Sequence, residues 1–109
     1  KGDVEMASKE VRNIIHRFKT ALSRSDFPKF SVLVFGSYAR GEEGPDSDID
    51  LCLVSSSFKN SKEKYRKEAV FVAFQVDPRI QLVLASPTDI KKNSLSQLFS
   101  NIYKESTAA

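Results

Sequence analysis

The sequence predicts a layered α/β domain in which helices and short strands alternate along the chain. Three observations support this class. Apolar residues recur at helical spacing in several segments, three short apolar runs have the length and composition of strands, and Gly, Pro, Asp and Ser separate these segments. The predicted order is α-β-α-β-α-β-α. The chain has 109 residues with no internal repeat or long linker, so we predict a single domain, 1–109.

The first half of the chain is predicted to hold a helix, then two strands joined through a short helix. Residues 4–22 carry apolar side chains on one helical face and charged side chains on the other. The run FSVLVFG at 30–36 is typical of a buried strand that ends at a glycine. A short helix is predicted to start at Ser37, the segment GEEGPDS to form a turn, and 48–54 to form the second strand.

The second half is predicted to hold a helix, a strand and a last helix. Residues 61–76 have an apolar stripe, and the Asp-Pro pair that follows should end this helix. The run RIQLVLA at 79–85 predicts the third strand, and Ser86 before proline predicts the start of the last helix. We expect the final residues, ESTAA, to be frayed. The apolar positions that mark the last helix are Leu95, Leu98, Phe99, Ile102 and Tyr103.

Composition restricts the function classes. The formal net charge is +3, which is weaker than expected for a dedicated duplex-DNA-binding protein and suits small anionic ligands as well as RNA. The single cysteine, Cys52, excludes an internal disulfide, so we expect a reducing, cytoplasmic location. Because no apolar run is long enough to span a bilayer and the charged start lacks a signal-peptide pattern, we expect no membrane association.

Two aspartates in the second predicted strand are the strongest candidate site residues. Alternate residues of a strand share a face, so Asp48 and Asp50 should present both carboxylates on one side, roughly 6–7 Å apart along the strand. That pair suits one or two Mg²⁺ ions, because Mg²⁺ takes one or two protein carboxylates and completes its shell with water and substrate phosphate oxygens. A metal pair can clamp the attacking and leaving oxygens of a phosphoryl or nucleotidyl transfer.

The segment before the aspartates suggests an anion site. Gly36 ends the first strand where a phosphate group would have to come close to the backbone, which a residue without Cβ allows. A short helix starting at Ser37 would add free N–H groups and a hydroxyl. Arg40, one helical turn further on, could reach the same anion. A solvated or ion-paired Arg40 is an equally good interpretation.

These residues together resemble a known family signature. Gly36-Ser37, ten intervening residues and then Asp48-Ile49-Asp50 are similar to the motif of the DNA polymerase β-type nucleotidyltransferase superfamily, and GSYARGEEGPDSDIDL is especially similar to its minimal nucleotidyltransferases. The element order extends the resemblance over most of the chain. It implies a small mixed β-sheet flanked by helices, with binding of ATP or another nucleoside triphosphate and Mg²⁺. It also implies that Ser37 meets the triphosphate and that Asp48 and Asp50 hold two metal ions.

The activity that the resemblance implies is transfer of a nucleoside monophosphate to a hydroxyl of a protein or small molecule, with release of pyrophosphate; AMP from ATP is the group we expect. It also implies a toxin partner of the HEPN type, with this chain as the antitoxin. Because the chain is short, we expect a partner protein or a second copy to complete the acceptor site.

The sequence departs from the family pattern at one position. Active members usually place a third carboxylate on the following core strand, where it binds the catalytic metal and helps to deprotonate the acceptor. The aligned residue here is Gln81, whose neutral amide cannot act as a general base, and Asp77 lies four residues earlier. An alternative interpretation is therefore a degenerate member that binds nucleotide or a protein partner without catalysing transfer.

Overall fold

The computed structural model describes residues 9–44 and 46–109, and it shows a four-stranded mixed sheet with helices on both faces, which confirms the predicted α/β class. None of the helices in these ranges has the length and apolar character needed to cross a bilayer. The strands are β1 (Ser31–Phe35), β2 (Ile49–Val54), β3 (Ile80–Ala85) and β4 (Thr107–Ala108), and the helices are α1 (Lys9–Arg24), α2 (Ser37–Arg40), α3 (Phe58–Val76) and α4 (Gln97–Glu105).

The sheet has the strand order β3-β2-β1-β4, and its register brings the site residues together. β1 and β2 are antiparallel with Phe35 opposite Asp50. β2 and β3 are parallel with Asp50 opposite Gln81. Parallel neighbours need a long crossover, which α3 provides. The carboxyl end of β1 therefore lies beside the amino ends of β2 and β3.

The two faces of the sheet bury different helices. Ile49, Leu51 and Leu53 point to the face covered by α1 and α3, and all three side chains are fully buried. Asp50 and Cys52 point to the other face, where Cys52 packs with Ile102 of α4. Burial raises the pKa of the Cys52 thiol to about 12, so this cysteine is a small buried hydrophobic side chain, as its aliphatic neighbours predict.

The helices in the first part of the chain differ from prediction in two details. The described part of the first helix runs from Lys9 to Arg24, so it extends beyond the predicted end, and predicted positions 4–8 lie outside the described residues. α3 has a kink at Ser61, whose φ −134° and ψ 33° are not helical, so the continuous helix starts at about the predicted residue 61 and a short helical turn from Phe58 precedes it. Tertiary packing holds this extra turn, because the buried Phe58 ring contacts the rings of Phe27 and Tyr65.

The last helix begins ten residues later than the predicted Ser86-Pro87 start. Ser86 instead closes a turn, in which its N–H donates to a carboxylate oxygen of Asp89 at 2.9 Å and its carbonyl accepts from the Asp89 N–H at 2.9 Å. Ser96 is the actual N-cap, and its hydroxyl accepts from the N–H of Phe99 at 3.2 Å. Leu95, predicted as part of the apolar stripe, is fully exposed.

The last residues form a strand, so the prediction of a frayed end is wrong. Thr107 and Ala108 form β4 and pair antiparallel with Val34 and Leu33 of β1. The edge of β1 that faces away from β2 offers unpaired backbone groups, and β4 supplies partners for them. The polar composition of this segment gives no sign of that pairing.

We predict that Ile102→Ala destabilises the protein by about 2–5 kcal/mol, because Ile102 is fully buried where α4 packs on the sheet. Urea unfolding measures the change. Leu95→Ala is the matched control, since it removes an aliphatic side chain of the same size from an exposed position, and its effect should stay within about 0.5 kcal/mol. Equal losses in the two variants would contradict the placement of α4.

Candidate active site

A cleft of about 410 Å³ opens where β1 ends, α2 begins and β2 starts. It contains five of the residues singled out in the sequence: Gly36, Ser37, Arg40, Asp48 and Asp50. Phe35 and Ser47 also line it, and three residues of α4 form the opposite wall. The structure thus brings both halves of the sequence motif into one solvent-open concavity.

Position 36 must be glycine because its backbone lies against the Asp50 carboxylate. Its backbone has φ 75° and ψ −152°, a region that essentially only glycine adopts. A Cβ built on Gly36 would overlap the Asp50 carboxylate, which lies against the glycine backbone. From the sequence, the missing Cβ is predicted to make room for a phosphate, whereas in this structure the neighbouring carboxylate occupies that space.

The short helix α2 places one side chain in the cleft and one in the core. Ser37 is half-buried and lines the cleft, and the first turn of a helix leaves its N–H groups without partners inside the helix. Tyr38 is 5% exposed and packs in the core below the sheet, so its ring is part of the support for this turn. Ser37 is therefore the residue of this helix start that can meet an anion.

Asp48 and Asp50 form an electrostatically unfavourable pair. Asp48 is exposed and Asp50 is half-buried. The pKa of Asp50 is raised, first by partial burial and then by the negative charge of Asp48, while Arg40 acts in the opposite direction. A divalent cation between these carboxylates would relieve the repulsion. Two carboxylates are also the number that Mg²⁺ commonly takes from a protein, so the donor set fits this ion.

The described residues do not supply a larger metal site. Within 9–44 and 46–109, no group of three His, Cys, Asp or Glu side chains is placed to hold a metal ion. Any cation held by Asp48 and Asp50 would therefore take its other ligands from water or from the oxygens of a bound phosphate.

Arg40 reaches the cleft but is already paired with two carboxylates. Its Nε lies 2.9 Å from Oε1 of Glu42, and its Nη1 lies 3.3 Å from Oε1 of Glu105. These hydrogen bonds raise the pKa of the guanidinium. Of the two interpretations that the sequence left open, the structure shows the ion-paired one. The pairs are exposed, so an incoming phosphate can compete for the guanidinium at low cost.

Sequence patterns did not predict that α4 forms one wall of the cleft. Leu98, Asn101 and Glu105 line the cleft opposite the aspartates. The sequence places Glu105 in a segment that resembles a frayed end, and only the packing of α4 on the sheet brings it within reach of Arg40. No motif in the sequence links these residues to the aspartates.

Gln81 lies on the neighbouring strand, opposite Asp50 and on the same face of the sheet, where the family resemblance predicts a third carboxylate. It is exposed and lines a second groove rather than the cleft. Asp77 does not replace it. Its carboxylate accepts hydrogen bonds from Arg79, which lower its pKa, and Arg79 also contacts Glu10 of α1 on the opposite face.

Comparison with protein families identifies the family of this chain. The model of the family described as "Nucleotidyltransferase domain" matches residues 13–107, which include the cleft, β1, β2 and β3 in full and the first residue of β4. The chain belongs to the nucleotidyltransferase domain family. A solved structure described as "a putative nucleotidyltransferase from Sulfolobus solfataricus" aligns with this chain with a TM-score of 0.53 at 19% identity. The alignment covers 94% of this chain and 86% of the solved chain, and it supports the same fold.

Two curated relatives come from Methanocaldococcus jannaschii. "Putative protein adenylyltransferase MJ1215" is 30% identical over 87 residues, which cover 79% of this nucleotidyltransferase and 90% of the relative. "Putative protein adenylyltransferase MJ0141" is 36% identical over 58 residues, which cover 52% of this chain and 59% of that protein. Both names describe transfer to a protein.

We predict that Gly36→Ala destabilises this nucleotidyltransferase by about 1–3 kcal/mol more than Gly41→Ala, because Gly36 faces a neighbouring carboxylate and its ψ of −152° takes it outside the left-handed helical region that Gly41 occupies. A Cβ added at Gly41 would meet no atom within 4 Å, so its replacement reports only the strain of a left-handed helical backbone. Urea unfolding of the two variants gives the difference. Losses of the same size would show that the Gly36–Asp50 contact carries no steric constraint.

We predict that Asp50→Asn stabilises the metal-free protein at pH 7, by less than about 1 kcal/mol after allowance for solvent screening. Because the folded-state pKa of Asp50 is raised, wild-type stability is fully present at acidic pH and is lost as the pH rises through that pKa. The advantage of the variant should therefore grow from acidic to neutral pH in thermal unfolding curves. Asp46→Asn, in the exposed turn, is the control for the same change in net charge. An advantage independent of pH would contradict the electrostatic cause.

Proposed function

We propose that this nucleotidyltransferase transfers AMP from ATP to a hydroxyl group of a protein, with Mg²⁺ held by Asp48 and Asp50. One observation carries the proposal: Ser37, Asp48 and Asp50 converge in a single open cleft in a chain of the nucleotidyltransferase family. The names of the two Methanocaldococcus jannaschii relatives favour a protein acceptor and an adenylyl group. The HEPN-type toxin as acceptor remains a prediction from the motif resemblance.

Different residues of the cleft would bind the anion and the cation. Ser37 and the adjoining N–H groups would orient the triphosphate, and Arg40 would exchange its exposed carboxylate partners for a phosphate. Asp48 and Asp50 would hold the cation, which when bound neutralises phosphate charge and polarises the phosphorus that is attacked. The new bond joins the acceptor oxygen to the α-phosphorus of ATP, and the bond to the β-phosphate breaks with release of pyrophosphate.

The acceptor proton has no dedicated base on the neighbouring strand. Gln81 stands where a carboxylate would face Asp50, and its amide does not take up a proton near neutral pH. The proton would have to leave to water or to a base on the acceptor protein. This same observation favours the second candidate function, in which the chain binds a nucleotide or a protein partner and does not catalyse transfer.

Transfer of label from ATP tests the proposal. We expect the purified protein, with Mg²⁺ and ATP labelled at the α-phosphate, to label a protein in a lysate or a co-encoded protein, while ATP labelled at the γ-phosphate gives no signal. Asp48→Asn combined with Asp50→Asn should abolish the labelling, because both cation ligands are lost. Labelling that persists in the double variant would refute the metal assignment. Binding of Mg²⁺-ATP in calorimetry without any labelling would favour the binding function.

Variants at Gln81 distinguish a slow transferase from a chain that does not catalyse transfer. Gln81→Asp should raise the rate of labelling by about 100-fold, because a correctly placed general base contributes factors of that order. Gln81→Asn is the matched neutral control and should not raise the rate. An equal effect of both variants would contradict the proposed reason for slow transfer.

A further inference from the structure

The outer edge of β3 is a second candidate recognition surface. β3 is a terminal strand of the sheet, and within the described ranges no strand pairs with its outer side. The carbonyl of Arg79 accepts from Ile49 at 2.9 Å and that of Ala85 accepts from Ser55 at 3.0 Å, so the odd-numbered residues turn their backbone groups towards β2. The backbone groups of Leu82 and Leu84 therefore point outward, where an added strand could pair with them.

A groove of about 230 Å³ adjoins this edge. α3 contributes Val70 and Phe74, and β3 contributes Ile80, Gln81 and Leu82. Val70 is 40% exposed and Phe74 is 68% exposed, although both are large apolar side chains. A contiguous apolar patch beside an unpaired strand edge is typical of a site that binds another polypeptide.

Gln81 lies in the groove on the strand next to the one that carries Asp50. It stands opposite Asp50 on the same face of the sheet. In a strand added to β3, the residue opposite Gln81 would point to the face that carries Asp50. The residues on either side of it would point to the other face, towards Val70 and Phe74. The register therefore places one side chain near the carboxylates and its neighbours in the groove.

The charge around the groove favours an acidic partner. α3 carries five basic residues and two acidic ones between positions 58 and 76. Arg66 lines the groove and is absent from the ion pairs formed among the described residues. Because α3 runs antiparallel to β3, Arg66 lies towards the carboxyl end of the strand. An acidic side chain near that end of an added strand would meet it.

The exposed area favours a short segment over a second folded copy. Phe74 is 68% exposed, so with about 150–250 Å² per aromatic side chain it offers roughly 100–170 Å², to which the 40% exposed Val70 adds a smaller area. A stable protein interface needs about 800 Å² from each partner. The apolar patch is too small for such an interface and is the right size for a few residues of an extended chain.

We infer that the outer edge of β3 and the adjoining groove bind an extended segment of the acceptor protein as an added strand, with the acceptor hydroxyl opposite Gln81. Apolar residues lie at the positions immediately before and after the acceptor residue, and an acidic residue lies three positions away, towards Arg66. This inference rests on the proposed function, and it assigns that function a substrate class: acidic and apolar segments that can adopt an extended conformation.

A symmetric peptide, Asp-Thr-Val-Ser-Leu-Thr-Asp with blocked ends, probes this surface without assuming a strand direction. At saturating peptide, the Leu82 and Leu84 amide protons should exchange with solvent at least about 10-fold more slowly in NMR measurements. The control peptide Asp-Val-Thr-Ser-Thr-Leu-Asp has the same composition, but its apolar residues would point away from the groove. It should give no such protection at the same concentration.

Two variants of α3 provide the matched comparison. Phe74→Ala should weaken binding of the first peptide by about 10-fold, because Phe74 lines the groove. Phe71→Ala removes an equally exposed ring that does not line the groove, and its effect should stay within twofold. Equal protection by the two peptides, equal effects of the two variants, or protection of Leu82 and Leu84 by self-association without peptide would overturn the inference.

The outcome separates this inference from the proposed function. If α-phosphate labelling of an acceptor protein occurs and Phe74→Ala leaves its rate unchanged, the docking surface is wrong and the transferase assignment stands. If the peptide protects β3 but no labelling of any acceptor occurs, the surface stands and the proposed transfer is wrong.

Discussion

The site depends on the close contact between the Gly36 backbone and the Asp50 carboxylate. The antiparallel register of β1 and β2 places Phe35 opposite Asp50, so the chain must turn into α2 directly beside a half-buried carboxylate. Only a residue without Cβ, in a backbone conformation with φ 75°, leaves room for it. This contact fixes the distance between the turn that holds Ser37 and the strand that holds the aspartates. The two halves of the motif are therefore one structural unit.

The charged side chains around this unit suit a cation and an anionic ligand, which the protein itself does not supply. Partial burial, and after it the charge of Asp48, raise the pKa of Asp50, so its ionised form is held at an energetic cost. Arg40 is close enough to offset part of that cost, but its hydrogen bonds go to Glu42 and Glu105. A cation for the aspartates and a phosphate for the guanidinium would satisfy both sets of charges. A nucleoside triphosphate with Mg²⁺ has this combination of charges.

Sequence patterns predicted the structure correctly where a segment's own residues determine its conformation. The bounds of β1, β2 and β3, which were predicted from apolar runs, and the Gly-Ser turn into α2 are correct to within a residue or two. Prediction failed where a distant contact decides. Phe58 forms an extra helical turn before the kink in α3 because it packs against the Phe27 and Tyr65 rings, Ser86 closes a turn with Asp89 instead of capping α4, and the last residues form β4 because β1 has a free edge.

The sequence by itself determined the α/β class, the pairing of a Gly-Ser turn with two aspartates on one strand face, and the neutral residue at position 81. These follow from local spacing and from the two-residue period of a strand. Only the tertiary structure decided that α4 forms a wall of the cleft with Glu105, that Arg40 is ion-paired, and that Gln81 lines a groove on the β3 edge rather than the cleft. The physical reason is that these contacts join residues far apart in the chain, and strand order and helix packing set their distances.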